Sequence, residues 1–155
     1  MTKLTRSLCF SDAEQTSIYA ARLAQHLRSG DVILLSGDVG AGKTHFARSL
    51  IQSLLAEPED IPSPTFTLVQ TYETAETEIW HADLYRLTSV QEVEELGLID
   101  AFATAICLVE WPDRLGALTP PSALSLGFKP GQSPDARSVL ATWQDPRWTE
   151  TVTAW

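Results

Sequence analysis

The feature that most constrains this chain is a glycine-rich octapeptide at residues 37–44, Gly-Asp-Val-Gly-Ala-Gly-Lys-Thr. It follows the apolar run Val32-Ile33-Leu34-Leu35-Ser36 and precedes a stretch in which Phe46, Leu50 and Leu54 recur at helical spacing. The octapeptide matches G-x-x-x-x-G-K-S/T, the phosphate-loop pattern, in the strand–loop–helix context that pattern requires. At ordinary residue frequencies it would arise by accident in roughly one chain of this length in 200. Each fixed position has a physical task. Glycine lets backbone N–H groups turn inward toward phosphate oxygens with no Cβ in the way. The helix that begins near Lys43 aims its positive end at the same anion. Lys43 supplies a point charge for the β and γ phosphates, and the Thr44 hydroxyl is a ligand for Mg²⁺. The residues expected to hold a nucleotide are therefore Asp38, Val39, Gly40, Ala41, Gly42, Lys43, Thr44 and the adjoining His45.

The rest of the chain reads as α/β, a phosphate-loop NTPase-like single domain. Its central sheet is expected to be mixed, mostly parallel, and flanked by helices. Leu4, Leu8 and Phe10 fit a first strand; Ser11 as cap, with Glu14 reaching back, starts a helix that Gly30 ends. Residues 32–36 read as a strand covered on both faces. Residues 57–64, with three prolines, form a loop. Residues 66–72 and 78–85 are two strands joined by a polar turn, and residues 89–96 a short acidic helix stopped by Gly97. Residues 105–110, 123–128 and 138–143 are further strands. The last dozen residues have no clear pattern, although Trp148 and Trp155 are candidates for packing or contact.

At 155 residues the chain has room for one domain with a core. No run of about 18 apolar residues is present, so no membrane span is expected. The amino-terminal ten residues lack the apolar stretch of a secretory signal, which points to the cytoplasm. Cys9 and Cys107 read as two reduced thiols in a core. With 20 Asp+Glu against 11 Lys+Arg the net charge is −9, which argues against autonomous nucleic-acid binding. The glutamates Glu92, Glu94 and Glu95 read as a solvated helix face.

A phosphate loop needs an acid at the end of a neighbouring buried strand. Ile106-Cys107-Leu108-Val109-Glu110 provides one, apolar until Glu110 emerges at the carboxyl edge where ligands gather in open α/β sheets. With this acid in place, four stretches resemble the TsaE (YjeE) family, bacterial ATPases of tRNA threonylcarbamoyladenosine biosynthesis. They are residues 37–44, Ser63-Pro64-Thr65-Phe66-Thr67-Leu68-Val69, His81-Ala82-Asp83-Leu84-Tyr85-Arg86-Leu87, and Glu110-Trp111-Pro112-Asp113-Arg114, in matching order and spacing. The resemblance runs from the first helix to about Arg114 and thins beyond Phe128. His45 departs from it, since many members carry a second Thr there; a change in packing is expected.

The resemblance implies Mg²⁺-dependent ATP hydrolysis with Lys43, Asp83 and Glu110 as catalytic residues. Thr44 and Glu110 would serve the metal, and Trp111 would lie near the nucleotide. It implies a switch loop at residues 63–66, with Thr65 near the γ phosphate or Mg²⁺. Whether Asp83 or Glu110 orients water is left open, as is an Asp83–Arg86 ion pair, and His81 reads as structural. The implied partners are TsaB and TsaD, whose transferase the chain would reset between cycles, with tRNA met only through that complex. Alternatives are a small-molecule kinase, against which the scarcity of arginine speaks, and a non-hydrolysing nucleotide-sensing module. No Asn-Lys-x-Asp guanine reader is present, so ATP is preferred to GTP. No arginine finger is evident within the chain, and turnover alone is expected to be slow.

Overall fold

In the computed structural model residues 2–155 are described, so Met1 lies outside the described residues. Seven strands form one sheet in the order β1-β7-β6-β2-β5-β4-β3. The strands are β1 (Leu4–Phe10), β2 (Val32–Ser36), β3 (Val69–Glu73), β4 (Glu78–Asp83), β5 (Ile106–Glu110), β6 (Leu124–Pro130) and β7 (Arg137–Trp143). The four inner strands β6, β2, β5 and β4 run parallel. Antiparallel partners flank them, β3 on one side and β7 with β1 on the other. The helices are α1 (Ala13–Ala24), α2 (Lys43–Leu54), α3 (Val90–Glu95), α4 (Leu98–Thr104) and α5 (Thr149–Ala154). No described helix is long and apolar enough to cross a membrane.

Strand β2 is buried from Val32 to Leu35 because helices cover both its faces. Ile33 and Leu35 join the core under α1 and α2, with Phe46, Leu50 and Ile51. Val32 and Leu34 join the opposite layer with Val93, Leu98 and Ala101 of α3 and α4. Strand alternation therefore puts Ile79, His81 and Asp83 of β4, and Ile106, Leu108 and Glu110 of β5, on the α2 side of the sheet. The apolar members of those two sets anchor the strands. The polar members come last, at the carboxyl edge.

Several local expectations need correction. Helix α1 is capped by Asp12, whose side chain accepts from the Gln15 N–H, while Gln15 reaches back to the N–H of Ser11. The box anticipated from Ser11 and Glu14 is shifted by one residue. Residues 66–68 are a turn rather than the start of a strand: Leu68 has φ 69° and donates to the Pro64 carbonyl at 2.7 Å. The following strand begins at Val69, and β4 ends at Asp83, so Tyr85 lies beyond it. Cys9 is exposed, because alternation buries its neighbours Leu8 and Phe10; Cys107 is buried. Ser89 caps α3, accepting from the Glu92 N–H, while Glu92 reaches back to accept from the N–H and hydroxyl of Thr88, and those hydrogen bonds hold its carboxyl below the usual range.

The carboxyl-terminal segment packs down. Trp155 meets Phe10, Tyr19 and Phe46 edge-on with ring centroids 6.1 Å apart, and its indole N–H donates to the Tyr19 carbonyl at 2.7 Å. Trp148 is 1% exposed and donates to the Ser122 carbonyl at 2.8 Å. Arg147 grips Asp31 with two nitrogens, at 2.9 and 2.5 Å. Each tryptophan thus buries its ring while its one donor finds an acceptor.

Candidate functional site

The phosphate loop leaves β2 at its carboxyl end and enters α2 at Lys43. Its path depends on glycine at Gly37, where φ is +135° and a Cβ would stand 2.5 Å from the Phe128 carbonyl oxygen. No side chain fits there. The loop borders a cavity of about 430 Å³. Val39, Gly40, Gly42, Lys43, Thr44 and His45 line it on the loop side. Across from them stand Thr65, Asp83, Tyr85, Glu110 and Trp111, while Arg137 lies against the loop itself at Gly42. Of the other expected loop residues, Ala41 packs into the core and Asp38 is exposed, its carbonyl accepting from the Ala41 N–H at 3.0 Å. His45 contacts Ser17 and the Ala13 carbonyl through Nε2 at 3.2 and 3.1 Å, tying α2 to α1.

Lys43 is 4% exposed and folded over the loop. Its ammonium donates to the Gly37 carbonyl at 2.5 Å and lies 3.7 Å from the centroid of the Trp111 ring. Burial lowers its pKa, and the negative charges of Glu110, Asp83, Asp38 and Asp113 oppose that shift. Trp111 has φ 59° and ψ 54°, a region that bulky residues rarely occupy. Such strain persists where the surroundings impose it, and here it brings the indole beside the lysine.

Asp83 and Glu110 are register partners at the ends of β4 and β5, 4% and 2% exposed. Glu110 is held from two sides. The Thr44 hydroxyl donates to its Oε1 at 2.9 Å, and His81 Nε2 lies 2.7 Å from its Oε2. A carboxylate can only accept, so Nε2 carries the proton. The Nδ1 of His81 is buried with no hydrogen-bond partner. His81, read from sequence as structural, thus touches an acid of the site directly. Asp83 accepts from the Thr65 hydroxyl at 3.1 Å and from the Tyr85 N–H at 2.9 Å. It does not pair with Arg86, whose guanidinium lies 4.6 Å from the centroid of the exposed Phe66 ring. Arg114 contacts Asp113 and the Tyr85 carbonyl, both at 3.3 Å.

Arg137 was not anticipated. It belongs to a segment where the sequence shows only a strand, and only the sheet order brings it to the loop. Of the anticipated residues, Val39, Gly40, Gly42, Lys43, Thr44, His45, Asp83, Glu110 and Trp111 line one cavity, and Asp38 and Ala41 do not.

A parallel strand ending in a glycine-rich loop before a helix, with acids on the neighbouring strand ends, defines a phosphate-loop α/β protein. Residues 10–139 match the model of the family described as threonylcarbamoyl adenosine biosynthesis protein TsaE. The chain is 45% identical over 115 residues to the tRNA threonylcarbamoyladenosine biosynthesis protein TsaE of Rickettsia felis, covering 74% of this chain and 67% of that one. It is 38% identical over 129 residues to the protein of the same name from Rickettsia bellii, covering 83% and 90%. The crystal structure of Bacillus subtilis YdiB has the same fold, with a TM-score of 0.79 at 24% identity, covering 99% of this chain and 95% of that one. The chain belongs to the TsaE family, the family of tRNA threonylcarbamoyladenosine biosynthesis.

Proposed function

We propose that this chain hydrolyses ATP with Mg²⁺ in the cytoplasm, as the ATPase that resets a TsaB–TsaD transferase during tRNA threonylcarbamoyladenosine formation. The observation that carries the reading is the contact between the loop hydroxyl of Thr44 and the buried carboxylate of Glu110, at 2.9 Å beside Lys43. A hydroxyl and a carboxylate are hard oxygen donors. They suit Mg²⁺, which usually takes one or two protein oxygens together with phosphate oxygens. When bound, the metal would neutralise charge on the β and γ phosphates.

The chain's own groups divide the remaining work. Backbone N–H groups of the loop and the start of α2 bind the phosphates. Lys43 exchanges the Gly37 carbonyl for phosphate oxygens. His81 fixes the rotamer of Glu110 on the metal side of the site. Asp83, which already holds Thr65, orients the attacking water. The water oxygen bonds to the γ phosphorus as the bond to the β–γ bridging oxygen breaks. ADP leaves, and the water proton passes to Asp83. Trp111 lies against Lys43 at the site, and Phe66, exposed beside Thr65, offers partner proteins an apolar contact near it. The acidic balance of the chain, −9, fits an arrangement in which the partners hold the tRNA.

Phosphate release from ATP, measured with the chain alone and with purified TsaB and TsaD, tests this. Slow release alone and faster release in the complex are expected. Absence of release under both conditions, with ATP bound, would replace hydrolysis by nucleotide sensing.

A further inference from the structure

Arg137 reaches the phosphate loop from the side opposite to the acids. The sheet order β7-β6-β2-β5-β4 puts Asp83 and Glu110 on one flank of β2 and Arg137 on the other. Strand β7 begins where β6 ends, so its first residue sits at the carboxyl edge of the parallel strands, paired with Pro130. The side chain is braced by its own hairpin: Nη1 donates to the carbonyls of Pro134 and Ala136 at 2.9 and 2.8 Å. It lies across Gly42, where φ is +104° and a Cβ would stand 3.0 Å from Nε. That Nε is buried and has no hydrogen-bond partner. A buried donor on a cation is unfavourable until an acceptor arrives, and an anionic acceptor suits it best.

Charge gives the second argument. Among the described residues lining the cavity, Lys43 and Arg137 are the only Lys or Arg side chains, facing Asp83 and Glu110. The negative charges of those acids, and of Asp38 and Asp113, already bear on Lys43. A polyphosphate entering this site meets more negative charge than one ammonium offsets. The Thr44–Glu110 and Thr65–Asp83 contacts mark the terminal-phosphate end. A nucleotide with its terminal phosphate at those contacts would run along the loop toward the opposite flank, with its nucleoside end over Gly42.

We propose that Arg137 is a second anchor for the nucleotide, pairing with the phosphate nearest the nucleoside over Gly42 while Lys43 serves the terminal phosphates. This rests on the nucleotide-binding reading above. Because ADP and ATP share that phosphate, Arg137 contributes to affinity for both and little to the chemical step.

Calorimetric titration with ADP and with ATP, in Mg²⁺, of the parent chain and of Arg137→Gln, Arg137→Met and Arg137→Lys tests it. Met keeps the aliphatic stem over Gly42, and Lys keeps the charge. Loss of one charge-assisted hydrogen bond predicts about 10–100-fold weaker binding of both nucleotides to the Gln and Met variants. Partial recovery with Lys is also expected. Parental ADP affinity in Arg137→Gln or Arg137→Met would overturn the proposal. So would a loss confined to ATP, or equal losses in all three variants that track a lower melting temperature of the free protein. If the parent bound neither nucleotide, the nucleotide reading itself would fail first.

Discussion

The two flanks of β2 are built differently. Toward β5 and β4 the strands are parallel, and each ends in a buried acid: Glu110 after four buried apolar residues, Asp83 after His81 and Ala82. Toward β6, β7 and β1 the connections are hairpins and long returns, and the buried residues are largely aromatic and aliphatic, closed by Trp148 and Trp155. Parallel strands bring all their carboxyl ends to one edge, so acids at those ends gather by topology alone. An antiparallel strand starts at that edge, and so a first residue, Arg137, reaches it. One flank holds the acids; the other is scaffold that lends a single cation.

If that division is right, substitutions on the two flanks have separable effects. The largest is expected from Asp83→Asn, which removes the group assigned to the attacking water. Turnover falls by about 10²–10⁴-fold, the usual contribution of a positioned acid or base, while ADP affinity stays near the parent's. Single-turnover phosphate release with parallel calorimetry reads both. Unchanged release would remove Asp83 from the chemistry. Next comes Trp148→Ala on the scaffold flank. Emptying a fully buried tryptophan site lowers stability by about 3–5 kcal/mol, seen as an earlier denaturant midpoint, and it also strands the Ser122 carbonyl. The protein that remains folded should still bind ADP; lost affinity in that fraction would mean that the two flanks are coupled.

The smallest effect concerns the thiols and leaves activity untouched. Burial pushes Cys107 up to about 12, so it stays protonated and inert near pH 8, where the exposed Cys9 can react. A thiol reagent should modify one cysteine in the native protein and two in denaturant. Two native equivalents would show that β5 opens readily.

The acid-bearing flank was the legible one. A buried parallel strand is a continuous apolar run, and the polar residue ending it announces itself, as Glu110 does. The octapeptide likewise carries its own geometry in Gly37 and Lys43. What escaped depends on tertiary placement. Arg137 is an ordinary strand residue until β7 pairs with β6. His81 looks like a core histidine until register sets it one position pair behind Glu110. Helix α4 is too short for its period to emerge, and it starts only because Gly97 adopts φ 79°. Residues 66–68 have strand composition, yet Pro64 and the left-handed Leu68 turn them. The carboxyl-terminal tryptophans have no period because they fill gaps left by other elements.

The most direct test of the account is calorimetric titration of ATP in Mg²⁺ into the parent chain and into Lys43→Ala. Lys43 is the buried ammonium beside the loop, donating to the Gly37 carbonyl, and the proposal has phosphate take that carbonyl's place. The expected result is one nucleotide per parent chain, and affinity reduced by about 10²-fold or more in the variant, as for a lost charged contact. Equal binding by both proteins, or no binding by the parent, would contradict it.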